Sequence, residues 1–185
     1  HPNLLLGTGA YTSLPWGRTE EDPFRLGRES KEHQHFQRGT GTFIPTVEGR
    51  AIWNNGTWGV MGVGRARVSL YENQKGYFRG SGVSWEVGPT YTFAAPISIY
   101  ISAEGLHDSR DRWAGEFAPS SGQHALLSGL NLLYMASGNL VVQAQAKTTV
   151  FQMSLSDSTD DQLRQRIIGS LGFSWTAKPK SAHTH

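Results

Sequence analysis

The stretch TVEGRAIWNNGTWGVMGVGRAR, residues 46–67, decides the fold because two kinds of side chain alternate along it on both sides of a tight turn. Every second residue from Val47 to Trp53 is apolar or small, whereas Glu48 and Arg50 lie between them. A period of two is typical of a β-strand, and it places these two sets of side chains on opposite faces. The stretch therefore predicts a hairpin with one apolar face and one charged face.

The Asn55-Gly56 pair predicts the turn of this hairpin. Both residues adopt positive φ readily, as a two-residue type I′ turn requires. That turn places Trp53 directly opposite Trp58, and it places Glu48 opposite Val63.

Alternation alone does not show which face is buried, because a soluble protein buries the apolar face and a membrane barrel exposes it to lipid. Strands of about 15 residues, where the soluble norm is about 5–6, favour the barrel. Gly and Ala on the apolar face are too small to fill a core, and aromatic residues cluster near strand ends, as in a membrane-interface belt. We predict these interfacial aromatics to be Trp53, Trp58, Tyr91, Phe93, Phe173 and Trp175.

The same pattern recurs along the chain and predicts eight strands, at residues 3–12, 40–54, 57–71, 77–93, 97–107, 124–136, 140–153 and 165–176. Their connections alternate in length: tight turns at 55–56, 94–96 and 137–139, and longer loops at 13–39, 72–76, 108–123 and 154–164. Short turns at one end and long loops at the other are typical of an outer-membrane barrel. We expect the short turns and both termini to face the periplasm.

The predicted fold class is therefore all-β, an antiparallel up-and-down transmembrane β-barrel. Residues 1–176 form its single domain, and residues 177–185 form a polar tail. The expected location is the bacterial outer membrane, with the bilayer and its lipopolysaccharide as partners and a periplasmic or surface protein as a further candidate.

Composition excludes several other classes of function. The absence of cysteine excludes disulfides and thiolate metal sites. A formal net charge of +2, with both signs interspersed, gives no surface for nucleic acid. No apolar run reaches the roughly 18 residues of a transmembrane helix, which leaves a transmembrane barrel open. We expect no cofactor.

Two segments carry a family resemblance: LPWGRTEEDPF at residues 14–24 and EHQHFQRGTGTF at residues 32–43. With GYFRG at 76–80, they resemble outer-membrane β-barrels grouped as transporters or as the meta-pathway of phenol degradation family. The resemblance implies a barrel whose substrate is unspecified. It also implies a larger barrel of about 12 strands, because such proteins carry further strands ahead of the position that matches Asn3.

On this interpretation, charged side chains line the lumen: Glu48, Arg50, Arg65, Arg67, Glu86, Glu104 and Lys147. They either bias a polar channel or form a salt-bridged plug. A closed eight-stranded barrel favours the plug, since its side chains fill its interior, and a wider barrel favours the channel.

A three-residue turn at 94–96 predicts that Glu86 faces Glu104. Two facing carboxylates repel unless a cation lies between them. We predict that Arg65, supported by Arg67, supplies that cation and bridges Glu86 to Glu48.

Two further motifs could indicate a metal site or a hydrolase, but each has a simpler interpretation. His33 and His35 share one side of an extended segment, but a third metal ligand is missing, so a solvated loop is the expectation. The run 107–109, His-Asp-Ser, invites comparison with lipid A deacylases, yet it lacks a supporting motif and its Asp side chain should point to the other face. We predict a passive channel or transporter component and not an enzyme; the alternatives are a plugged anchor that binds a partner protein and, less favoured, a lipid hydrolase.

Overall fold

The computed structural model describes residues 3–32, 39–93, 96–119, 121–156 and 166–175. These residues form, in chain order, β1 (Asn3–Ser13), α1 (Pro23–Arg28), β2 (Ile44–Asn54), β3 (Trp58–Arg67), β4 (Tyr77–Phe78), β5 (Gly82–Thr92), β6 (Ile97–Asp108), β7 (Arg112–Trp113), β8 (Glu116–Phe117), β9 (Gln123–Ser137), β10 (Leu140–Ser154) and β11 (Ile167–Trp175). No helix among the described residues is long and apolar enough to cross a membrane.

Eight of the strands form one antiparallel sheet in the order β1-β2-β3-β5-β6-β9-β10-β11. Each strand pairs with the next main strand along the chain, which is the up-and-down order expected from alternating turns and loops. The sheet curls into a half-barrel. Its two edge strands, β1 and β11, make no contact with each other within the described ranges, so the alternative of a closed eight-stranded barrel is wrong.

The β2–β3 hairpin differs from the predicted register by two residues. Trp53 pairs with Val60 instead of Trp58, because the two central turn residues are Gly56 and Thr57. Gly56 has a φ of +99°, whereas Thr57 keeps a negative φ, which fits a type II′ turn and not type I′. The Asn55 side chain stabilises this turn by accepting hydrogen bonds from the backbone N–H groups of Thr57 and Trp58.

A shift of two residues leaves every side chain on its predicted face, because the side-chain period of a strand is also two. Three of the predicted strands are nevertheless too long. The predicted strand 40–54 begins four residues too early, because β2 starts at Ile44. The predicted strand 57–71 ends four residues too late, because β3 stops at Arg67. The predicted strand 77–93 is two elements, β4 and β5, and these belong to different sheets.

Pro89 has no backbone N–H to donate, so a bulge or an irregular pairing is expected at this point of β5, and the pairing with β6 is irregular there. The register between β5 and β6 is the same on both sides of Pro89, although no pairing is made at Gly88 and Pro89 themselves. Glycine is required at 88, because a Cβ there would collide with the carbonyl oxygen of Ile101.

Two of the four longer loops contain folded structure where the sequence indicated only polar loop: α1 lies in 13–39, and β7 and β8 lie in 108–123. Strands β4, β7 and β8 form a small second sheet at the loop end of the half-barrel, which we call the cap together with α1. Tyr77, Trp113 and Ala118 form its core, and Phe24 of α1 packs against them. Helix α1 begins where the Asp22 side chain accepts from the N–H of Phe24 at 2.9 Å.

Asp111 holds the cap together. Its carboxylate accepts from the Tyr77 hydroxyl at 2.7 Å and from the Gly80 N–H at 2.7 Å. Burial, followed by the nearby charge of Asp111, raises the pKa of Tyr77 well above its usual range, so the phenol stays protonated and keeps donating. The unfolded phenol ionises near pH 10, so this contribution is present at neutral pH and is lost as the pH rises above about 10.

We therefore expect Asp111→Leu to loosen the cap by about 1–3 kcal/mol, because the Gly80 N–H and the Tyr77 hydroxyl would lose their acceptor. Hydrogen exchange should speed up at residues 77–80 and 112–118 and stay unchanged in β6. Glu116→Ala, at an exposed position of β8 in the cap, is the matched control. Equal exchange rates in both variants would contradict this role of Asp111.

Candidate functional site

The cross-strand register places every charged residue of the eight main strands on the same face of the half-barrel. Directly paired residues share a face, so the pairs Glu48–Arg65 and Glu86–Glu104 fix the face of their strands. These charged residues are Glu48, Arg50, Arg65, Arg67, Glu86, Glu104, Asp108 and Lys147. The opposite face of these strands carries no Asp, Glu, Lys or Arg.

The charged face is the concave one, and burial is inverted relative to a soluble protein. Asn131 on the concave face is 1% exposed, whereas Ile101 on the convex face is 55% exposed. The exposed apolar side chains of the convex face continue across all eight strands, among them Leu6, Val47, Val60, Val87, Leu130, Val150 and Leu171. Proteins in water rarely expose a continuous apolar surface of this kind.

Three of the predicted aromatic residues form a cluster of edge-to-face rings on the convex face, at the end of the sheet that carries the short turns. Trp58 lies edge-on to Tyr91 with ring centroids 4.6 Å apart, and Tyr91 lies edge-on to Phe93 at 4.8 Å. Trp53, Phe173 and Trp175 are exposed at the same end of their strands. The beginning of β1 and the end of β11 also lie there, as the register of β1 with β2 and of β10 with β11 requires.

On one side of the concave face, Glu48 lies between two guanidinium groups. Arg65 Nε is 2.8 Å from Glu48 Oε2, and Arg50 Nη2 is 2.8 Å from Oε1. The contact between Arg65 and Glu48 was predicted as a diagonal one, but the two-residue register shift makes the residues directly opposed. We call these three residues the arginine cluster.

On the other side, Lys147 lies between two carboxylates, and we call these three residues the lysine cluster. Its Nζ is 2.5 Å from Glu104 Oε2 and 3.1 Å from Glu86 Oε2. The three side chains are only 10–17% exposed. Glu86 does face Glu104, as the three-residue turn predicted.

The cation assigned to this carboxylate pair was wrong. Arg65 pairs with Ser84 across β3 and β5, and its guanidinium is already held by Glu48. Arg67 bonds instead to Asp108, with its Nη2 2.6 Å from Oδ1. Asp108 was placed in a loop by the sequence, although it is the last residue of β6.

Gly129 explains how Lys147 reaches across a whole strand. Lys147 pairs with Gly129 on β9, and Gly129 pairs with Ser102 on β6. A Cβ at position 129 would lie 3.2 Å from Lys147 Cγ and 2.6 Å from Ser102 Oγ. The absence of a side chain at Gly129 therefore opens the path along which the lysine passes to Glu104 and Glu86.

Further buried polar atoms surround the lysine cluster. Glu86 Oε1 and Asn131 Nδ2 have no hydrogen-bond partner among the described groups, and the hydroxyls of Tyr100 and Ser102 also lack one of normal geometry. Tyr100 lies near both carboxylates and pairs with Asn131, whose Oδ1 accepts from Gln143 at 3.3 Å. Buried polar groups of this kind commonly form hydrogen bonds to ordered water.

The structure does not support the hydrolase motif at 107–109, and it does not describe the histidine pair His33 and His35. His107 lies on the convex face and contacts His124, whereas Asp108 lies on the concave face against Arg67. The run 107–109 therefore does not bring its His and Asp together as a hydrolase relay. His33 and His35 lie outside the described residues, as do residues 94–95, most of the final loop and the tail 177–185.

No protein-family model matches the chain, and a comparison with curated proteins finds no match either. The family resemblance of residues 14–24 and 32–43 stays a prediction.

Proposed function

We propose that this chain forms part of the wall of an outer-membrane β-barrel that works as a passive channel or transporter component with a charged lumen. The segregation of charge carries the proposal: all charged side chains of the main strands lie on the concave face, and an exposed apolar surface covers the convex face. Lipid is the solvent in which such a surface is stable, whereas in water it would drive aggregation.

The cluster of aromatic rings also supports a membrane barrel. Trp58, Tyr91 and Phe93 lie at one end of the apolar surface, where a membrane-interface belt would place them. With the short turns at this end, it would be the periplasmic side, and the cap would be extracellular.

The open edges favour a barrel wider than the eight strands. The two edge strands, β1 and β11, do not meet. Their apolar side chains are exposed, among them Leu4, Leu6, Phe173 and Trp175. Unpaired backbone groups at a sheet edge are not tolerated in hydrocarbon, so further strands must pair with both edges. A barrel of about 12 strands would leave room for a water-filled lumen.

A plugged anchor barrel is the second candidate, and the ion pairs of the lysine cluster favour it. Lys147 of β10 reaches along the concave face, past β9 and β6, to Glu86 of β5, and the cap lies at the loop end. An anchor of this kind would hold a periplasmic or surface protein.

Single-channel recording in planar bilayers with the purified protein tests the proposal. A channel should give stable conductance steps that grow in proportion to salt concentration, because a wet polar lumen conducts without a gate. Protein that inserts into vesicles but does not conduct would support the plugged anchor. Protein that remains in the aqueous phase and does not associate with vesicles would overturn the membrane assignment itself.

A further inference from the structure

Two imidazole rings meet at the loop end of the convex face, outside the charged lumen. His107 near the end of β6 pairs with His124 near the start of β9. The rings are stacked, with centroids 4.5 Å apart, and their Nδ1 atoms are 3.2 Å apart. Both residues are half-buried.

This nitrogen separation matches two ligands of one metal ion. Metal–imidazole bonds of about 2.0–2.1 Å that end on nitrogens 3.2 Å apart enclose an angle of about 100° at the metal, close to tetrahedral. A hydrogen bond between these two Nδ1 atoms needs one Nδ1 proton, and the tautomer decides which ring is the donor. Metal binding at both Nδ1 atoms requires that proton to move to Nε2 of the same ring, so no net proton is released.

A third donor stands in the same row of the sheet. Met153 of β10 pairs directly with His124, so the two side chains share the convex face. Met153 is 48% exposed, and its unbranched side chain is free to turn its sulfur towards the imidazoles. Among the described residues, no three His, Cys, Asp or Glu side chains could hold a metal ion together, so a third protein donor for the two imidazoles would have to be a thioether.

We propose that His107, His124 and Met153 form a copper(I) site across β6, β9 and β10. Two imidazoles and one thioether are a soft donor set, and thioethers select Cu(I) over harder ions such as Zn²⁺. The surroundings fit an uncharged ligand set: Val83 flanks His107 on β5, and Asp108 points to the opposite face. This proposal is independent of the proposed channel function.

Copper X-ray absorption on the full chain in detergent micelles, loaded with one equivalent of Cu(I), tests the site. We expect two nitrogen scatterers and one sulfur scatterer at about 2.3 Å. The sequence has no cysteine and three methionines, so a copper–sulfur contact can come only from Met61, Met135 or Met153. Met61 lies on the concave face, opposite Ile52.

Met153→Leu, which conserves volume, should abolish the sulfur scatterer, and Met135→Leu near the far end of β9 should leave it in place. His124→Ala should weaken binding of Cu(I) measured by competition with bicinchoninate. A wild-type spectrum with nitrogen and oxygen scatterers alone would reduce the pair to two imidazoles that share a proton, and it would overturn the proposal. Sulfur that persists in Met153→Leu would overturn it as well.

Discussion

Lys147→Met should destabilise the folded protein by about 3 kcal/mol, because it leaves Glu86 and Glu104 facing each other with no cation between them. This loss is at the lower end for breaking a buried ion pair, because the three side chains are still 10–17% exposed to solvent. Urea unfolding in lipid vesicles measures the change. In bilayers, the same variant should move the reversal potential towards cation selectivity, because the lumen loses a positive charge beside two carboxylates.

Removing the two carboxylates as well should recover most of the stability. The triple variant Lys147→Met, Glu86→Gln, Glu104→Gln keeps the side-chain volumes and has no charge left to bury. Lys31→Met is the matched control, because Lys31 binds Glu29 at 2.6 Å on an exposed loop. A loss in the control as large as that in Lys147→Met would show that burial of the lysine cluster is unimportant.

Ala146→Arg should destabilise the protein in vesicles by about 2–4 kcal/mol, because it places a guanidinium on the apolar convex face at mid-strand. Gln145→Arg, at the neighbouring residue on the concave face, should cost about 1 kcal/mol or less. The two substitutions are identical in chemistry and adjacent in sequence, so their difference reports the face and not the residue.

Val60→Arg repeats the comparison on β3, where Val60 is 45% exposed. Equal cost at positions 145 and 146 in vesicles would argue that the convex face does not contact hydrocarbon.

The order of the eight main strands and the face of their charged residues could be predicted from the sequence, even where details were wrong. The turn at Asn55 was assigned the wrong central pair, yet the error of two residues moved no side chain to the other face. Strand ends were less certain, because Val68 and Leu70 continue the alternating apolar pattern of β3 beyond its last residue, Arg67.

Two contacts of the concave face could not be predicted. Strand β9 lies between the strands of Lys147 and Glu104, and Lys147 reaches across it only because Gly129 has no side chain. Arg67 meets Asp108 only because β6 extends one residue beyond the predicted strand, to Asp108. Gly129 was the available signal, but it gains its meaning only when the strands on either side of it are known.

The sequence by itself determined which residues are charged, which are apolar, and that the two sets lie on opposite faces of each strand, because strand periodicity is a local property of the chain. Only the tertiary structure decided which charges pair, that the long loops build a cap around Tyr77 and Trp113, and that β1 and β11 remain apart. These depend on the curl of the sheet and on contacts between residues far apart in sequence, which no local pattern encodes.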